Sequence, residues 1–142
     1  MIYLIGIEAI DTRYTGHWAQ YVPGLIETAT GIRTQQIMGE ILDTKLDDGA
    51  FFNFNSTIHF KNTQMNKVVA MFNAGQIQDG DYFLFMDAWN PTAHELRYMA
   101  DLANINIKMG GIWHAGSYDE NDFLGRQFKD KKWSYAFEKS LY

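Results

Sequence analysis

The chain has 142 residues, 46% of them hydrophobic and 20% charged, which suits one compact domain and excludes a disordered polymer. Its net charge of −5 leaves no basic footprint for a phosphate backbone, so nucleic acid is not expected as a partner except as an acceptor substrate. With no cysteine there is no disulfide, thiol nucleophile or thiolate metal site; no apolar run nears the ~18 residues that span a bilayer, so a soluble cytoplasmic protein with no membrane partner is expected.

Residues Ile2 to Ile7 are almost continuously apolar, the pattern of a strand covered on both faces. A polar loop from Glu8 to Thr15 follows. Trp18, Tyr21, Val22, Leu25 and Ile26 then recur at helical spacing up to Gly31, which suits a helix stop, with Pro23 marking a kink or a late start. Ile32 to Met38 reads as a weaker, more polar strand near an edge. Between Gly39 and Asn55 the turn residues Asp43, Asp47, Asp48 and Gly49 predict an irregular excursion, with a short hairpin at Phe51 to Phe54.

Ser56 or Thr57 suits the cap of a second helix, whose inward stripe includes Phe60, Met65, Val68, Val69 and Phe72 before Gly75. Asp79-Gly80-Asp81 turns the chain into a central strand, Tyr82 to Met86. Pro91 opens a helix with Leu96, Met99, Ala100 and Leu102 inward, and Ile107 to Trp113 forms the last strand. Strands alternating with helices predict an α/β, Rossmann-like three-layer sandwich with a mainly parallel sheet of order 2-1-3-4, spanning 1–142 as one domain. Such a sheet places its ligand beyond the carboxyl ends of the strands, between the loops after Glu8 and after Asp87. Residues 130–142 carry Trp133, Tyr135, Phe137 and Leu141 in a helical pattern, a face expected to pack on a second domain, a partner or another copy of the chain.

Three strand ends deliver chemistry to one rim: Glu8, Asp87 and His114. His114 follows Gly110-Gly111-Ile112-Trp113 and precedes a small-residue turn, where an imidazole can donate to a hydroxyl or stabilise a developing phosphate charge. Asp87 can act as a base or accept a hydroxyl, or it can cap the next helix. Glu8 and Asp11 suit acceptor hydroxyls, and Arg13 suits a phosphate or carboxylate clamp. Among the aromatic residues, Trp18 and Trp113 are expected in the core, while Trp89 and Tyr118 sit on loops within reach of a ligand. No GxGxxG follows the first strand, which disfavours dinucleotide oxidoreductase chemistry, and no P-loop motif is present.

Taken together, Tyr3-Leu4-Ile5 with Glu8, Arg13-Tyr14-Thr15 with Trp18, Asp79-Gly80-Asp81 through Asp87, and Gly111 through Asp119 with Asp122-Phe123-Leu124 resemble the N-terminal, acceptor-side domain of GT-B glycosyltransferases, especially a phage and archaeal glycosyltransferase-like group. The resemblance implies half of a two-domain architecture, a nucleotide-sugar donor as substrate, no metal and no other cofactor. It implies a catalytic role for His114, to which the strand-end position of Asp87 adds a second catalytic candidate. Glu8, Asp11, Arg13, Tyr14, Trp89, Ser117 and Tyr118 would bind substrate. A non-catalytic binding or assembly module on the same fold is the alternative. A receiver-like phosphorylation switch fits the acids after the first strand and Asp87, but offers no lysine after a later strand.

Overall fold

The computed structural model describes residues 1–10, 13–42 and 53–142. Among them four strands form one parallel sheet: β1 (Ile2–Ile5), β2 (Thr34–Ile37), β3 (Tyr82–Phe85) and β4 (Lys108–Gly111), in the order β2-β1-β3-β4. In register, Ile5 of β1 lies beside Ile37 of β2 and Phe85 of β3, and Phe85 lies beside Gly111 of β4. All four strands therefore end together, and the residues that follow them share one rim.

The connecting helices are α1 (Tyr14–Thr30), α2 (Phe54–Asn73) and α3 (Thr92–Ala103), followed by the short α4 (Phe123–Gln127) and by α5 (Lys131–Ser140). Strand side chains alternate between two cores. Tyr3, Ile5, Ile37, Phe83 and Phe85 meet Met65, Val68 and Met71 of α2 and Leu96 and Ala100 of α3. Ile2, Leu4 and Met86 meet Trp18, Val22 and Ile26 of α1. A chain that steps outward from β1 to β2 and back past β1 to β3 needs helices on opposite faces if every crossover keeps one hand, and α1 and α2 obey that rule. Fully buried residues such as Phe83 and Val68 each contribute about 1.5–3 kcal/mol through the apolar area they remove from water.

Local chemistry sets the boundaries. Gly31 closes α1 with φ +69°, its N–H donating to the Glu27 carbonyl at 2.8 Å. Inside α1, Pro23 has no N–H to offer the carbonyl four residues back, and the Gln36 side chain of β2 donates to that Ala19 carbonyl instead, at 2.8 Å. A helix defect thus becomes a helix-to-edge-strand tie. On the other face, Gln64 of α2 is buried and its Nε2 donates to the carbonyls of Gly6 and Ile37, both at 2.7 Å, fastening the ends of β1 and β2.

Several expectations change in detail. Asn53, rather than Ser56 or Thr57, caps α2, its side chain accepting the Ser56 N–H at 3.1 Å. Phe54 belongs to that helix instead of a hairpin, while Phe51 and Phe52 lie outside the described residues. Leu102 is 71% exposed and faces away from the core, as do Tyr21 and Leu25. The C-terminal helix turns Ser134, Phe137 and Glu138 onto its own chain: Phe137 packs on Trp89 and His94, and His94 pairs with Ser140 at 2.8 Å. Trp133 remains half exposed. No described helix is long and apolar enough to cross a membrane.

Candidate functional site

The loops after β1 and β3 lead to helices on opposite faces, so the rim opens between them, at the point where the strand order reverses. Two glycines let β4 lie close to β3 and to the loop that follows it. A Cβ at Gly110 would strike the Tyr82 hydroxyl, and one at Gly111 would come within 2.8 Å of the Ala88 Cβ. With that clearance, the Ile112 N–H donates to Phe85 at 3.0 Å and the Ala88 N–H donates to Ile112 at 2.9 Å. Beyond these ladder bonds the His114 Nε2 reaches the Met86 carbonyl at 2.7 Å.

His114 is half-buried, and both of its ring nitrogens are engaged. A carbonyl only accepts, so Nε2 carries the proton, and in the neutral ring Nδ1 is left as a bare acceptor. Facing it at 3.2 Å is the hydroxyl of Tyr14, the first residue of α1. Trp18, one helical turn on, holds the imidazole from the side, with ring centroids 4.9 Å apart and its edge toward Tyr14 at 5.8 Å. Burial and the Asp87 carboxylate push the Tyr14 phenol above its ordinary value, with Arg13 opposing. Asp87 and Arg13 therefore act on the same hydroxyl that His114 faces.

Asp87 does not cap α3. Its Oδ1 accepts the Trp89 N–H at 3.1 Å, while the Asn90 side chain accepts from both the N–H and the hydroxyl of Thr92, at 3.1 and 2.9 Å. The other Asp87 oxygen lies 3.8 Å from the Nζ of Lys61, a residue of α2 whose side chain is only 15% exposed. Lys61 also donates to the Trp89 carbonyl at 3.3 Å. Burial pushes its ammonium below the ordinary value, and Asp87 and Glu8 partly restore it. Glu8 is anchored from the same helix, accepting from Ser56 at 3.3 Å and Thr57 at 3.1 Å. Lys61 thus places one positive charge beneath the two strand-end acids.

Of the residues expected to act, His114 and Tyr14 are in direct contact, Asp87 and Arg13 influence the Tyr14 phenol through their charges, and Asp87 pairs with Lys61, whose ammonium Glu8 also favours. Asp11 lies outside the described residues. Trp89 is 9% exposed, sandwiched by Phe128 and Phe137, so it offers no free stacking face. Ser117 is fully buried, and its hydroxyl has no hydrogen-bond partner among the described residues. Trp113, expected in the core, is 36% exposed and stacks on Tyr142. Tyr118 is exposed and lies flat against Tyr135, with ring centroids 3.9 Å apart. Among the described residues no three histidine, aspartate or glutamate side chains gather as a metal centre would require.

Two participants escaped the sequence reading. Lys61 sits in the middle of a helix, with nothing local to mark it. Glu138 of α5, 4% exposed, accepts the Trp89 indole N–H at 2.6 Å and the Ser117 backbone N–H, and so ties the two rim loops together. Compared with protein-family models, curated proteins and solved structures, the chain finds no significant match.

Proposed function

We propose that the chain is a glycosyltransferase-like domain, holding an acceptor hydroxyl and the sugar end of a nucleotide-sugar donor at the rim formed by Tyr14, Asp87 and His114. The observation that supports this most is the convergence of a phenol, a carboxylate and an imidazole from three separate segments on the crevice between β1 and β3. Such a set suits hydroxyl groups: the carboxylate accepts from one, the phenol and imidazole handle its proton, and Arg13 and Lys61 supply positive charge for a diphosphate. Transfer would then depend on positioning more than on covalent chemistry. A second domain, a partner or another copy of the chain, meeting residues 130–142, would supply the rest of the donor site. A cytoplasmic setting suits a nucleotide-sugar substrate.

Calorimetry with UDP-glucose and GDP-mannose, followed by ³¹P NMR for released diphosphate, tests the proposal. Binding that is lost in Asp87→Asn supports it. Absence of both binding and hydrolysis removes the enzyme reading for this chain and leaves the binding or assembly module.

One observation favours a second reading. Lys61 places an ammonium 3.8 Å from Asp87, which fits a phosphoacceptor carboxylate whose attached phosphoryl group would be held by a lysine. With acetyl phosphate, the Asp87 carboxylate would attack phosphorus and acetate would leave. A mass gain of one phosphoryl group, absent in Asp87→Asn, would favour this reading over sugar transfer.

A further inference from the structure

We propose that Tyr14, rather than His114, is the group that meets the acceptor hydroxyl, with His114 acting behind it as the base. The proposal rests on the transfer reading above and deepens it. His114 has no free ring nitrogen to offer a substrate: Nε2 is committed to the Met86 carbonyl at 2.7 Å, and Nδ1 faces the Tyr14 hydroxyl at 3.2 Å. Tyr14 is the opposite case, with 52% of its surface open and its hydroxyl at the rim. A ligand arriving in the crevice therefore meets the phenol first.

The surrounding groups suit that division of labour. The Met86 carbonyl fixes the tautomer, so that the imidazole lone pair is directed at the phenol. Trp18 restricts the ring from the side. Burial and the Asp87 carboxylate keep the phenol protonated at rest, against the pull of Arg13, so Tyr14 donates to Nδ1 and does not wait as a phenolate. During transfer, the acceptor oxygen bonds to the anomeric carbon while the bond from that carbon to the diphosphate oxygen breaks, its electron pair leaving on the diphosphate. The acceptor proton passes to the Tyr14 oxygen as the phenol's own proton passes to Nδ1. The phenol is regenerated and the imidazolium holds the charge until product leaves. Tyr14 is the catalytic residue of this pair, and His114 acts through it.

The test has two arms. In the free protein, ¹⁵N NMR of the imidazole should show the neutral ring protonated at Nε2, and Tyr14→Phe should move the Nδ1 resonance while leaving Nε2 in place. In turnover of UDP-glucose or GDP-mannose, Tyr14→Phe should lower kcat about 10²- to 10⁴-fold with little change in KM. His114→Gln should do the same, and the double variant should fall no further, because the two act as one unit. A neutral ring protonated at Nδ1, an unmoved Nδ1 resonance, or additive losses in the double variant would overturn the pair while leaving sugar transfer standing. A wild-type protein that turns over neither sugar would overturn the transfer reading and Tyr14's role with it, whatever the resonances show.

Discussion

The carboxylate of Glu138 and the indole of Trp89 meet at 2.6 Å inside the protein, 49 residues apart in the chain. Through this contact the last helix holds the loop that carries Asp87, and through the Ser117 N–H it also holds the loop that follows His114. Replacing Glu138 by Ala orphans both buried donors. A loss of about 3 kcal/mol in unfolding free energy is expected, and about 1 kcal/mol for Glu138→Gln, which retains an acceptor. Urea titration followed by tryptophan fluorescence measures both, and equal losses for the two substitutions would show that shape, not the carboxylate, matters there.

Lys61 gives a pH signature. Its folded-state value lies below the ordinary 10.5 because burial disfavours the ammonium, so the unfolded chain binds the proton more tightly. At pH below the lowered value both states are charged and folding carries the full burial cost. That cost is relieved as pH rises from the lowered value to 10.5, so stability climbs across this alkaline window. Denaturation curves at successive pH values should show the climb in the wild type and not in Lys61→Met. The phenols of Tyr3 and Tyr14, raised by burial, lose their contribution above pH 10 in both proteins and cancel from the difference.

The exchange between Pro23 and Gln36 predicts a non-additive pair. An interior helix proline costs ~3 kcal/mol relative to alanine, and part of that is already offset by the Gln36 bond to the Ala19 carbonyl. Pro23→Ala should therefore stabilise by about 1 kcal/mol. Gln36→Ala should cost about 1 kcal/mol in the wild type and clearly less once residue 23 has its own N–H. Equal costs in the two backgrounds would show that Gln36 does not substitute for the missing bond.

At Gly39 the limit is space. A Cβ there would collide with the Phe60 carbonyl oxygen and come within 2.7 Å of the Phe60 carbonyl carbon, main-chain atoms of α2 that cannot swing aside. Gly39→Ala should destabilise by about 1–3 kcal/mol. Gly24→Ala, with nothing near its Cβ and a helical position, should instead stabilise by about 0.5–1 kcal/mol. Thermal unfolding of the two variants side by side provides the comparison.

The sheet was legible because its signals are local. Continuous apolar runs at Ile2 and Tyr82, a polar run at Thr34 and a glycine-ended run at Lys108 suffice to place two inner and two outer strands. Strand ends follow from strand identity, so Glu8, Asp87 and His114 fell on one rim, and Tyr14 and Arg13 came with the loop after β1. What the sequence concealed depends on contacts across the chain. Lys61 looks like any helix lysine until α2 is laid under Asp87. Trp89 and Trp113 exchanged places because α5 closes over the loop of one and leaves the other at the surface. No local pattern records which loop a distant helix will cover.

The outermost strands, β2 and β4, are each only four residues long. One presents Thr34, Gln35 and Gln36 along its border; the other begins with Lys108 and runs into two glycines. Borders this brief, polar or charged, and poor in branched apolar side chains make weak templates for an incoming strand. The molecule is thereby protected from edge-to-edge growth into fibrils, and valines at Gln35 and Lys108 would turn that protection into a propensity to aggregate.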